Sequence, residues 1–107
     1  MLPEITVTEL KEKLDQNARF HLLDVREPEE FQICQLPDSE LISLGNIPRQ
    51  AENIPQDKPV VVICHHGFRS AQAIQYLNQR FGYTNLLNLK GGIHAWAQQI
   101  DPSMPVY

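Results

Sequence analysis

A cysteine followed within five positions by two histidines, a glycine and an arginine can do covalent chemistry. Here the stretch reads Val60-Val61-Val62-Ile63-Cys64-His65-His66-Gly67-Phe68-Arg69-Ser70. An ordinary thiol titrates near about 8.5, and a helix N-terminus with a neighbouring cation lowers that value. Cys64 precedes both, so it is expected to be largely thiolate, the nucleophilic form, near neutral pH. Backbone N–H groups of the loop and of the helix that opens near Ser70 can converge on whatever the sulfur carries, forming an anion cradle. A cysteine that merely ends a buried strand is common. Two histidines, a glycine and an arginine are costly to bury and pack poorly, so the cluster reads as a site rather than as core.

The chain must hold this cluster between a strand and a helix. Val60 to Ile63 are consecutive β-branched residues, which lose little in a pleated sheet, and an all-apolar run implies cover on both faces. Cys64 then sits at the carboxyl end of a central parallel strand, where open α/β sheets bind ligands. From Ser70 to Phe81, Ile74, Leu77 and Phe81 recur on one helical face, and Gly82 follows where a left-handed residue ends a helix. Upstream, Thr6-Val7-Thr8-Glu9 fits a capping box, with Ile5 and Leu10 placed as a hydrophobic staple, which predicts a helix over about 7–14. Phe20 to Val25 reads as a buried strand that delivers Asp24 and Arg26 to a loop. Pro28 suits the start of a short helix that Leu36-Pro37 ends, and Arg26 with Glu30 has the spacing of a local ion pair. Glu40-Leu41-Ile42 is a weaker strand, and Ile47, Ala51 and Ile54 give one apolar face to a short helix opened near Pro48. Asn85 to Leu89 is a further strand, followed by Gly91-Gly92 and a helix whose Ile93, Trp96, Ala97 and Ile100 share a face. Alternating strands and helices specify an α/β fold with right-handed crossovers.

Composition narrows the functions open to such a fold. The 107 residues, 42% hydrophobic and 21% charged, suit one soluble domain over residues 1–107. Nine Lys+Arg against thirteen Asp+Glu leave a net charge of −4, and the basic residues are scattered, so no nucleic-acid partner is expected. The longest strongly apolar run, Val60 to Cys64, is far below the roughly 20 residues that span a bilayer, and Met1 is followed by Leu-Pro-Glu. Neither a membrane association nor an export signal is expected. Two cysteines cannot build a dense disulfide framework, which points to a reducing cytoplasm.

Three blocks, in order and spacing, resemble the rhodanese (sulfurtransferase) family over nearly the whole chain. Leu23-Asp24-Val25-Arg26-Glu27-Pro28-Glu29-Glu30-Phe31 is similar to its Asp-x-Arg…Glu-aromatic signature, Cys64 to Ser70 to its active-site loop, and Leu89-Lys90-Gly91-Gly92 through Trp96 to its C-terminal signature. The resemblance implies a rhodanese-like five-stranded parallel sheet flanked by helices on both faces. It also implies that Cys64 takes sulfane sulfur from a small-molecule donor such as thiosulfate, holds it as a persulfide, and passes it to cyanide or a thiol by two-step covalent catalysis. The amides of His65, His66, Gly67, Phe68, Arg69 and Ser70 would stabilise the anionic outer sulfur. Arg69 adds a fixed charge that either meets an anionic donor at the mouth or turns back to brace the loop. His65 and His66 are further candidate donors, and Gly67 is expected in a conformation closed to residues with side chains. Asp24 and Arg26 read as supporting residues, Gly91 and Gly92 as permitting a close approach of the last loop, and Trp96 as core. No organic cofactor is expected. Nor is a metal, since Cys64, His65 and His66 are contiguous, unlike spaced zinc ligands, and His21 and His94 have no evident relation to them.

Loop length separates the enzymatic alternatives. Four residues stand between Cys64 and Arg69, whereas the related cell-cycle phosphatases and arsenate reductases resemble Cys-x5-Arg. A shorter ring of amides encloses a smaller anion, which favours sulfur over phosphate or arsenate. A different class of function is a persulfide carrier or docking module that serves a protein acceptor. The short apolar faces are accounted for by one core, so a monomer is expected. Cys34-Gln35-Leu36-Pro37-Asp38-Ser39 replaces the family's usual Gly-His-Ile-Pro-Gly-Ala and keeps only the proline. A buried thiol is the favoured reading of Cys34, against a resolving cysteine that would form a disulfide with Cys64.

Overall fold

The computed structural model describes residues 2–107. In chain order its elements are β1 (Glu4–Ile5), α1 (Val7–Asp15), β2 (His21–Asp24), α2 (Pro28–Ile33), β3 (Glu40–Leu41), α3 (Ile47–Gln50), β4 (Val60–Ile63), α4 (Phe68–Phe81), β5 (Leu86–Leu89) and α5 (Gly92–Gln99). The strands form one sheet in the order β1-β5-β4-β2-β3, with every pairing parallel. The all-apolar strand β4 is thus central, with Asp24 of β2 opposite Ile63 and Asn88 of β5 opposite Val62. Its four residues are fully buried.

Because successive side chains of a strand point to opposite faces, β4 feeds two cores. Val60, Val62 and Cys64 pack with Leu23, Ile47, Ile54, Ala73, Ile74 and Leu77, under α3 and α4. Val61 and Ile63 pack with Val7, Leu10, Leu36, Ile93 and Trp96, under α1 and α5. Each buried Val, Leu or Ile among them contributes about 1.5–3 kcal/mol by leaving water. Thr6 opens α1 with the expected capping box: its Oγ1 accepts the Glu9 N–H at 3.1 Å, and the Glu9 carboxylate accepts the Thr6 N–H at 2.9 Å.

Several boundaries differ from the sequence-based expectation, each for a local reason. The strand β1 is added to the four recognisable by pattern. It is two residues long, too short for any periodicity, and its Ile5 serves at once as staple and as partner of Leu89. The segment carrying Ile47, Ala51 and Ile54 buries all three, but the helix is broken, with 3-10 turns at Leu44–Asn46 and Ala51–Asn53 on either side of α3. Helix α2 stops at Ile33, ahead of Leu36-Pro37, and Cys34 is extended at φ −161°. The Arg26 guanidinium donates to the Cys34 carbonyl at 2.6 Å and draws it out of the helical direction. Helix α4 starts at Phe68 rather than Ser70, because Gly67 takes the left-handed conformation at φ +107° and turns the chain two residues earlier. Among the described residues, no helix is long and apolar enough to cross a membrane.

Candidate active site

Cys64 follows directly on β4 and is 1% exposed. Its Sγ accepts the Gly67 N–H at 3.0 Å and lies 3.3 Å from the Ser70 hydroxyl. Among the described residues, these are the polar groups that reach the sulfur, so the expected ring of amides from His65 to Ser70 is reduced around the bare thiol to one amide, with one hydroxyl beside it. The N–H groups of Phe68, Arg69 and Ser70 open the fourteen-residue helix α4, where no preceding turn supplies carbonyls for them. The Phe68 side chain itself points to solvent and is 79% exposed.

Asn88 on β5, which the sequence pattern did not single out, fixes this turn. Its amide nitrogen donates to the Gly67 carbonyl at 3.2 Å, and its carbonyl oxygen accepts the Ser70 hydroxyl. Buried at 3% exposure, it would be costly without these partners. A lone polar residue inside Leu86-Leu87-Asn88-Leu89 was the available signal. With its proton on Asn88, the Ser70 oxygen can accept from a protonated thiol; rotated, the hydroxyl can donate to a thiolate.

Gly92 brings the last helix against the loop. A Cβ there would stand 2.3 Å from the His65 carbonyl oxygen and 2.5 Å from that of Cys64. This close approach lets the first amides of α5 take both carbonyls, Ile93 N–H to Cys64 at 2.9 Å and His94 N–H to His65 at 3.1 Å. Gly91, at φ +79°, precedes it as the N-cap.

The two arginines divide differently from the expected pattern. Arg69 turns back to brace the loop, donating both terminal nitrogens to the Glu30 carboxylate at 2.6 and 2.8 Å. That bidentate bond, against some opposing burial, holds Glu30 down to about 2. The expected Arg26–Glu30 side-chain pair is therefore corrected. Arg26 is fully buried and pairs with Asp24, itself fully buried, through Nε at 2.9 Å and Nη2 at 2.8 Å, and it meets Glu30 only at the backbone carbonyl, at 3.3 Å. A buried guanidinium needs a buried carboxylate, whereas α2 carries the Glu30 carboxylate out toward the loop. Burial opposes the Arg26 charge, but hydrogen bonds to Asp24 and Tyr107 outweigh it and raise its pKa.

Tyr107 was not anticipated. Its hydroxyl accepts from Arg26 at 2.9 Å and donates to Glu30 at 2.8 Å, bridging the two ion pairs. Its ring stacks on His65 at 3.9 Å between centroids. Burial pushes its phenol up to about 12, which keeps the donated proton in place. Burial, then His66, pushes the His65 imidazole below its usual value. His94, unrelated to the loop in sequence, stands beside it, its ring centroid 5.8 Å from that of His65 and 4.8 Å from that of His66. His21 is elsewhere, at Glu40 on the sheet edge. Cys34 is buried and free, in the core on the opposite face of the sheet from Cys64, and Arg26 lies 3.9 Å from its sulfur.

Comparison with known proteins agrees with this architecture. The rhodanese-like domain family matches residues 6–99. Adenylyltransferase and sulfurtransferase MOCS3 of Drosophila ananassae is 34% identical over 96% of this chain, but the chain spans only 24% of that protein's length. YtwF of Bacillus subtilis, named provisionally as a sulfurtransferase, is 36% identical, with 94% of this chain and 96% of that protein covered. Among solved structures, a rhodanese-related protein of Thermoplasma volcanium superposes with a TM-score of 0.82 at 32% identity, covering 92% of this chain and 93% of that one. A rhodanese-like domain protein of Staphylococcus aureus gives the same score at 33% identity, covering 89% and 91%.

Proposed function

Because this chain belongs to the rhodanese-like domain family, we propose that it is a sulfurtransferase in which Cys64 carries one sulfane sulfur from a small anionic donor to a thiophilic acceptor. The observation that carries this reading is the Gly67 N–H aimed at the Cys64 sulfur at the mouth of a helix, with the first amides of α4 beside it. With thiosulfate as donor, the Cys64 thiolate attacks the outer sulfur. A new S–S bond forms, the old one breaks, and sulfite leaves with the electron pair. The product is a Cys64 persulfide whose outer sulfur is anionic, and the N–H groups of Phe68, Arg69 and Ser70 are its donors, already oriented by α4. A thiolate or cyanide then attacks that sulfur and returns Cys64 to its thiolate. The cycle needs no external oxidant or reductant.

Arg69 supports this chemistry mainly as a brace. Its fork is taken up by Glu30, which ties α4 to α2 across the loop and leaves no free binding group. Asp24, Arg26 and Tyr107 hold Glu30 in position from below, and Gly92 lets α5 fasten the Cys64 and His65 carbonyls. With four residues between Cys64 and Arg69, the ring of amides is short, which suits one sulfur better than a tetrahedral oxyanion.

A second reading, in which the acceptor is a protein, is favoured by the relatives whose names pair adenylyltransferase with sulfurtransferase and of which this chain spans about a quarter. Intact mass spectrometry after thiosulfate tests the half-reaction shared by both. A gain of one sulfur, about 32 Da, removed by cyanide and absent in Cys64→Ser, is expected. No gain, or a gain that survives Cys64→Ser, overturns the proposal. Saturable turnover with small thiols then selects the free enzyme, and capture of partners only by the persulfidated form selects the relay.

A further inference from the structure

Three imidazoles converge beside the loop, on elements far apart in sequence. His65 and His66 follow Cys64, and His94 lies in the first turn of α5; one ring nitrogen of each falls within 4.8 Å of one on the others. The Nε2 of His65 and the Nδ1 of His94 are buried with no hydrogen-bond partner. A buried polar atom left unpaired is costly, so two of them side by side require an explanation. We propose that His65, His66 and His94 form a binding site for a divalent cation of the zinc class at the rim of the Cys64 loop.

The backbone geometry supports a built site rather than a chance cluster. The His94 N–H is bonded to the His65 carbonyl, and the neighbouring Ile93 N–H to that of Cys64, so the two main chains are pinned to each other. Only a glycine at position 92 permits that contact. Tyr107 covers one face of the His65 ring and fixes its plane, with the rings 7° from parallel. His66 is the exposed member, with freedom to rotate onto an ion. Bonds of about 2.0–2.1 Å in tetrahedral geometry place nitrogens roughly 3.4 Å apart, so the rings must close by an ångström or so, within reach of side-chain rotation.

The donor set selects the ion. Imidazoles suit Zn2+, Cu2+ and Ni2+, whereas Mg2+ and Ca2+ require oxygen ligands. Three nitrogens leave a fourth position open to water or to an anion. The site goes beyond the sulfur-transfer reading and does not depend on it.

Calorimetric titration of untagged, chelator-stripped protein with Zn2+ tests the site. One ion per chain is expected. His94→Ala removes a ligand and should weaken binding by at least the roughly 10–100-fold that loss of an outer-shell partner costs. His66→Ala, at an exposed position, should do the same without disturbing the fold, and Cys64→Ser should bind as the parent does. With Co2+ as probe, visible ligand-field bands without a thiolate charge-transfer band are expected. No saturable binding, unchanged binding in both histidine variants, or loss of binding in Cys64→Ser with a thiolate band in the parent would overturn the assignment. Because Cys64→Ser abolishes sulfur loading yet should leave the metal in place, the two proposals fail separately.

Discussion

Arg26 and Arg69 each pair with a carboxylate through two nitrogens, but they lie in opposite environments. The Asp24–Arg26 pair is fully buried, and Arg26 spends its remaining donors on the Cys34 and Glu30 carbonyls and the Tyr107 hydroxyl. The Arg69–Glu30 pair lies beside the loop, its side chains 33% and 18% exposed. The difference teaches that the charge in the core is a fixed joint, too expensive to disturb, while the charge at the rim, equally well paired, stands where solvent reaches it and beside the chemistry. The Tyr107 hydroxyl touches both pairs and is the link between joint and rim.

The contrast is broken most severely from the buried side. Asp24→Ala leaves a guanidinium in the core without its counter-charge and should cost about 3–5 kcal/mol in urea unfolding. Replacing both partners with apolar residues, Asp24→Leu with Arg26→Met, should recover only part of that loss, because the Cys34 and Glu30 carbonyls would still lack their donor. Tyr107→Phe deletes the link alone. It should cost roughly 0.5–1.5 kcal/mol, and a larger effect in an Asp24→Asn background than alone would show that the two pairs are coupled through it.

At the rim, Arg69→Ala removes a partly exposed pair and should cost about 1 kcal/mol, well below Asp24→Ala, while slowing sulfur loading of Cys64 in the mass assay. Equal losses of stability in Arg69→Ala and Asp24→Ala would erase the distinction. The smallest effect is in pH. Glu30 is depressed in the folded state, to about 2 against an ordinary 4.5. Its contribution is therefore complete above about pH 4.5 and is lost as pH falls toward 2. Glu30→Gln should flatten that limb of the stability profile between about pH 4.5 and 2 by about 1 kcal/mol or less.

Much of this layout is legible in the amino-acid sequence wherever one short stretch carries the whole signal. Val60 to Ile63 announces a central strand because four β-branched residues in a row tolerate little else, and Cys64 to Ser70 announces a site because its residue types are wrong for a core. What the sequence conceals is set by contacts between distant stretches. The spacing of Arg26 and Glu30 suggested a local pair, but burial assigned Arg26 to Asp24 and left Glu30 for Arg69. His94 meets His65 and His66 only because β5 lies beside β4. Tyr107 has no periodicity or motif to mark it, and β1 becomes a strand only when β5 is there to receive it.

That last dependence has a consequence for how the chain is made. Glu4 and Ile5 pair with Asn88 and Leu89, the most sequence-distant strands of the sheet, and contacts of that span form late in folding. A nascent chain leaving the ribosome exposes its first strand long before the partner is translated. The thiol likewise precedes Asn88 and Gly92, which tie down its surroundings. Reactivity at Cys64 should therefore arise only once β5 and the start of α5 have joined the loop, and not while β4 stands alone.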